Sequence, residues 1–391
     1  MSVPYRNGLV ASRKSGWLVW LAMLMLWPAV QAGAQQGGSS ASTGFGMGLT
    51  QLQQSDGGWV TVFYPAMGQE TPVLRGPFRL LLIPDGVPVT GNSHLVVISH
   101  GSGGSPWVHA DLARTLVRRG FTVALPQHRG DNDLDPSEPG PASWRRRPQE
   151  VSDALDLVAR HAVLAPSLDL SSVGVLGGSA GGHTALSLAG GRWSDARFRD
   201  HCEQHLDEDF SSCVGFITLL RGNVLDGLKR WAARLVIGWR FSDETWHEYR
   251  DPRIKAALAM VPFAADFQPA SLQHPQIPLG LVLAGKDRNQ IPRFHVQVIL
   301  EACAPECELV MELPEAGHGV MLSPAPPLNA DTVAAYLLSD PPGFQRERDI
   351  PELNSRIAAF FERHLLVQPS ASVAAMGQVL TESKGPMAVG P

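Results

Sequence analysis

Gly177-Gly178-Ser179-Ala180-Gly181 has the residue types and spacing of a nucleophilic serine turn. The short β-branched run Ser172-Val173-Gly174-Val175-Leu176 precedes it, and a small, apolar, helix-like run over 182–189 follows. Small residues on both sides of Ser179 let the chain turn sharply, which lifts the hydroxyl clear of a sheet. A helix starting there points its first N–H groups at developing negative charge. A glycine-rich strand-to-helix turn with an ordinary serine would carry the same pentapeptide, so the rest of the chain has to decide.

A serine hydroxyl is a poor nucleophile until a base takes its proton, and that base needs an orienting acid. Asp287, in Gly285-Lys286-Asp287, and His318, in Gly317-His318-Gly319, follow Ser179 in the order serine, acid, histidine. Each stands in a turn just after a predicted strand. The expected roles are therefore Ser179 as nucleophile, His318 as general acid and base, and Asp287 as the carboxylate that fixes the imidazole tautomer. An oxyanion needs two N–H donors. Ala180, the residue after the nucleophile, is one candidate. The second is expected from His100-Gly101-Ser102-Gly103-Gly104, where glycines allow close backbone approach. Ser102 N–H is the candidate there, with Gly103 its neighbour and alternative. Such chemistry calls for no metal and no organic cofactor.

The elements that must position these groups alternate along the chain. Strands are expected at 59–64, 78–84, 95–99, 121–125, 172–176, 256–261, 277–284 and 308–313, and helices at 111–119, 149–161, 225–239, 294–302 and 351–366. Buried strands alternating with helices predict an α/β fold: a mostly parallel sheet covered on both faces. Ligands bind such sheets at the carboxyl ends of the strands, where His100, His128, Ser179, Asp287 and His318 all fall. The rhythm breaks over 191–252, a stretch with two cysteines and four tryptophans. It is expected to form a helical cap over that rim. No internal repeat is visible.

Composition narrows the function classes. The chain has 391 residues, is 44% apolar and 18% charged, and carries a formal net charge of −5. That suits a large globular domain and gives no footprint for nucleic acid. The one dense basic cluster, Arg145-Arg146-Arg147, is expected to be a solvated turn before a helix. Residues 1–34 have the form of a signal peptide: Arg6, Arg13 and Lys14, then an apolar run over 17–30, then Ala32-Gly33-Ala34. The apolar run is shorter than a spanning helix needs. Cleavage before Gln35 and an exported, periplasmic or secreted protein with no remaining membrane span are the expectation, with an uncleaved signal anchor as the alternative. Residues 35–44 read as a flexible leader, 45–366 as the folded domain and 367–391 as a disordered tail. Export implies oxidising conditions, under which Cys202, Cys213, Cys303 and Cys307 allow two disulfides in three pairings. Local pairing, 202 with 213 and 303 with 307, is the simplest. The cysteines lack the paired C-x-x-C spacing of a zinc site.

The chain resembles α/β-hydrolases of the predicted dienelactone hydrolase group, which are similar to platelet-activating-factor acetylhydrolases. The resemblance rests on Val62-Phe63-Tyr64-Pro65-Ala66, Ser99-His100-Gly101-Ser102-Gly103-Gly104, Pro126-Gln127-His128, Arg147-Pro148-Gln149-Glu150-Val151-Ser152, residues 177–182, and the Asp287 and His318 turns. It spans about 50–366 and implies hydrolysis of a small-molecule or lipid-like carboxylic ester. True dienelactone hydrolases use a cysteine nucleophile, whereas position 179 is serine, which points to a serine esterase. A serine peptidase or amidase on the same fold and a non-catalytic binding module are the competing readings. The insert at 191–252 has no counterpart in the resemblance.

Overall fold

Five short aliphatic runs, each with every residue buried or nearly so, make the centre of the sheet. The computed structural model describes residues 44–366 except 55, 56 and 85. The expected signal peptide, nearly all of the leader and the tail at 367–391 lie outside the described residues. In chain order the strands are β1 (Gly46–Gln53), β2 (Trp59–Ala66), β3 (Thr71–Arg75), β4 (Phe78–Leu82), β5 (Leu95–Ser99), β6 (Thr122–Pro126), β7 (Val173–Gly178), β8 (Ile254–Met260), β9 (Leu279–Ala284) and β10 (Glu308–Leu313). The helices are α1 (Ala110–Arg118), α2 (Pro141–Ala159), α3 (Ala180–Leu188), α4 (Asp195–His205), α5 (Phe210–Val214), α6 (Asp226–Arg240), α7 (Val296–Cys303), α8 (Val333–Leu338) and α9 (Arg346–Phe361).

The main sheet has eight strands in the order β1-β2-β6-β5-β7-β8-β9-β10. From β6 to β10 every neighbour is parallel, and β2 and β1 add two antiparallel strands at one edge. The parallel strands β5, β6, β7 and β9 are buried along their whole length. Helices covering both faces produce that pattern. The expected strand at 78–84 exists as β4, but it pairs with β3 in a separate hairpin rather than joining the sheet.

Arg145, Arg146 and Arg147 do not form a solvated turn. They lie inside α2, which begins eight residues before the expected start. Arg147 is fully buried, with 0% exposure. Gly140, at φ 96°, and Pro141 start this helix: glycine tolerates the left-handed turn, and proline suits the first helical position. Pro148 sits in the helix interior, where sequence reasoning would sooner place a boundary.

The insert folds as α4, α5 and α6 and shares one apolar core with the sheet's helices. Trp144 on α2 is the centre of that junction. Its ring lies 4.4 Å from Phe263, 5.9 Å from Phe198, 6.1 Å from Phe241 and 6.3 Å from Trp193, centroid to centroid. The cysteines pair locally, Cys202 with Cys213 across α4 and α5, and Cys303 with Cys307 after α7. A polar clasp also ties the insert down. Buried Asp209 accepts from His295 Nε2 at 3.1 Å and from His201 Nε2 at 2.9 Å, while His295 Nδ1 accepts the Ala264 N–H. Truncating Trp144 to alanine should cost roughly 3–5 kcal/mol of stability, as for other buried large aromatics. Urea unfolding of the Trp144→Ala variant checks this, and early proteolytic cleavage within 191–252 is expected beside it.

Candidate active site

Ser179 takes a backbone conformation that serine rarely adopts, φ 55° and ψ −120°. The strain is held from both sides. Ser179 N–H donates to Met260 O at the end of β8, and Ser179 O accepts from Phe263 N–H, each at 3.1 Å. The glycines around it permit the turn. A Cβ on Gly177 would stand 2.0 Å from Gly181 O, and one on Gly181 would stand 1.9 Å from Ser99 O. Neither position accepts any side chain, so the strand and the helix can approach closely enough to set the serine at their junction.

Asp287 stands just past β9 and His318 just past β10. His318 Nδ1 and Asp287 Oδ2 are 2.7 Å apart, and both side chains are buried. The other oxygen, Oδ1, accepts from the N–H groups of Asn289 and Gln290, each at 2.8 Å. The carboxylate is therefore fixed before it meets the imidazole. His318 Nε2 is buried and has no hydrogen-bond partner among the described residues.

Two contacts bring this pair to Ser179. The Ser179 hydroxyl donates to Gln290 Oε1 at 3.4 Å, and Gln290 belongs to the Asp287 turn. The His318 turn reaches the serine through Met321: a Cβ on Gly178 would lie 2.6 Å from Met321 Sδ. Gln290 was not visible in the sequence, because a turn glutamine carries no spacing signal. The hydroxyl is bonded to Gln290, and His318 Nε2 is not its partner. Catalytic hydrogen bonds are often looser without substrate.

The glycine loop after β5 lies against the serine. A Cβ on Gly101 would stand 3.5 Å from Ser179 Cβ. Gly101 O accepts from Gly104 N–H, closing a turn with Gly103 at φ 63°. Of the two loop donors considered, Gly103 N–H is committed elsewhere: it donates to Asp131 Oδ1 at 3.0 Å. The Ser102 hydroxyl donates to the same oxygen at 2.5 Å, which fixes that residue's orientation. Ala180 N–H is the first of α3 and has no carbonyl within the helix to bond.

A buried polar network underlies this loop. Arg147 donates to Asp131 Oδ2 at 2.9 Å, to Ser143 Oγ at 3.0 Å and to His100 O. His100 Nδ1 donates to Gly101 O at 2.8 Å, and its Nε2 accepts the His128 N–H, so this imidazole is neutral. His128 in turn bonds Ser99 Oγ at 2.7 Å and Glu150 at 2.6 Å. Burial holds the His100 pKa well below its usual value, and the neighbouring His128 and Arg147 charges add to it. Burial and Arg147 do the same for His128. A second buried pair, His183 Nε2 with Asp266 Oδ2 at 2.9 Å, braces the first turn of α3.

A family model described as "Alpha/beta hydrolase family" matches residues 95–335, more than half of the chain. The chain belongs to the alpha/beta hydrolase family. No curated protein matches it. Among solved structures this hydrolase is similar to a ferulic acid esterase from Streptomyces cinnamoneus. The identity is 17% and the TM-score 0.52, over 84% of this chain and 94% of the other. At that identity the likeness speaks to the fold, and the α/β-hydrolase architecture expected from the sequence is what the sheet shows.

Removing Asp131 from this hydrolase should leave a fully buried guanidinium unpaired, at a cost of about 3–5 kcal/mol. Chemical denaturation of Asp131→Ala measures it. The histidines set a pH dependence of their own. Unfolded His100 and His128 take up a proton near pH 6.5, which their folded forms resist, so their contribution is complete above that value and is lost as the pH falls. Urea midpoints should drop from about pH 7 to about pH 5, and His100→Asn should flatten that slope while lowering the midpoint at about pH 7.

Proposed function

We propose that this chain is a serine esterase that hydrolyses carboxylic esters through an acyl-enzyme on Ser179. The observation that carries the reading is the buried His318–Asp287 hydrogen bond, which leaves Nε2 unpartnered on the sheet rim that also holds a serine in a strained turn. Nε2 takes the Ser179 proton as the hydroxyl oxygen attacks the ester carbonyl. Asp287 keeps the proton of the neutral imidazole on Nδ1 and stabilises the imidazolium that forms. The oxyanion accepts from Ala180 N–H and, in this proposal, from Ser102 N–H, since Gly103 is held by Asp131. The imidazolium then protonates the leaving alcohol. Water enters by the same route in reverse and releases the acid.

The ester class is supported by the fold's likeness to a ferulic acid esterase and by the motifs shared with predicted dienelactone hydrolases and platelet-activating-factor acetylhydrolases. Serine at position 179, where true dienelactone hydrolases have cysteine, favours an ordinary serine esterase. Export is part of the proposal, supported by the form of residues 1–34 and by two disulfides in the folded part.

Ser179→Ala should fold normally and lose p-nitrophenyl acetate and butyrate turnover by about 10³-fold or more. Turnover at the wild-type rate in that variant rejects the assignment. Asp287→Asn should fold normally while kcat falls by about 10⁴, because the imidazole then holds the wrong tautomer. Anilide substrates run beside the esters separate an esterase from an amidase.

A further inference from the structure

One side of α6 is apolar and faces solvent. The helix buries Asp226, Ala233 and Ile237. At 3.6 residues per turn those three share one side. Leu225, Leu228, Trp231, Leu235, Val236 and Trp239 lie on the opposite side, and all are exposed, Trp239 at 81%. Together they occupy about 140° of the helix circumference. The segment 221–240 has five basic residues and one acidic residue in a chain of net charge −5. Lys229 and Arg240 lie beside one margin of the stripe and Arg234 faces the other, while Arg230 lies next to buried Ile237. Asp226 is turned inward, accepting from Lys229 and from the N–H groups of Arg221 and Gly222. Asp207 pairs with Arg230 from α4's side, and Arg234 has no ion pair among the described residues.

We propose that this face docks on an anionic lipid bilayer. Apolar side chains with tryptophan between cationic margins match an acyl boundary roofed by negative headgroups. The 15-residue helix is about 22 Å long, too short to span a bilayer, so it lies in the plane of the surface. No helix among the described residues is long and apolar enough to cross a membrane. A second copy of the chain is the poorer occupant, because a self-complementary contact would set basic margins against basic margins. The helix is also placed at the sheet's functional rim. Arg240 donates to Pro139 O in the connection from β6 to α2. The turn at Gly215–Ile217 rests on α8, which rests on the His318–Met321 turn.

The test does not depend on the esterase reading, because it measures binding without turnover. Full-length Ser179→Ala protein is floated with vesicles of phosphatidylcholine alone and of phosphatidylcholine with phosphatidylglycerol at about 7:3. Flotation is expected with the anionic vesicles. Adding Leu228→Ser, Trp231→Ser and Trp239→Ser should weaken it about tenfold or more, and Arg234→Gln should weaken it by roughly fivefold on the anionic vesicles only. Circular dichroism melts confirm that the variants are folded. Equal flotation of parent and triple variant overturns the proposal, since another segment would then carry the binding. Absence of flotation by the parent overturns it too. A dimer in sedimentation velocity that the triple variant dissolves overturns it in favour of contact between copies.

Discussion

A guanidinium with no exposed surface must be paired, and at Arg147 the pairing organises everything around the glycine loop. Its partners are a carboxylate, a hydroxyl and a backbone carbonyl, and each belongs to a segment that frames the site. Asp131 then passes the constraint on, because its second oxygen binds Ser102 and Gly103. The loop beside Ser179 is thus held by an ion pair shielded from water and salt, where electrostatic attraction is strongest. Such a pair gives little net stability. What it supplies here is position, for a loop whose own glycines would leave it free to move.

The serine turn is held in a different way, by the exclusion of atoms. Gly177 and Gly181 are in contact closer than any Cβ allows, and Met260 at the end of β8 and Phe263 just beyond it bond the N–H and the carbonyl of Ser179. The strained φ is over-determined by its surroundings, as persistent backbone strain requires. His318 and Asp287 arrive on later strands of the same parallel sheet. The fold's single direction of strands brings turns separated by more than a hundred residues to one rim.

Most of this was legible in the sequence where local chemistry speaks for itself. Buried β-strands appear as unbroken aliphatic runs, and turns after them appear as glycine with Asp, His or Ser. Those signals located β5 to β10, and they set Asp287 and His318 in the turns where the two side chains are hydrogen-bonded. β1 escaped because Gly46, Gly48 and its polar half hide the strand pattern of an edge. Arg147 was misread because three successive arginines look like surface. Only the tertiary partner, Asp131, makes one of them a core residue, and no local rule predicts that. Gln290 and the His183–Asp266 pair were invisible for the same reason. Local disulfide pairing was the simplest of three options, and the chain adopts it.

Trp144 and Arg147 stand one turn apart on α2. The indole is the hub of the aromatic junction with the insert, and the guanidinium is the anchor of the glycine loop. One rigid rod therefore serves two structures that the chain encodes far apart. The insert and the glycine loop are surveyed from the same benchmark. Sequence changes in the insert leave that datum in place so long as they spare the rings that meet Trp144. The insert is free to vary elsewhere, while α2 keeps its place against the glycine loop.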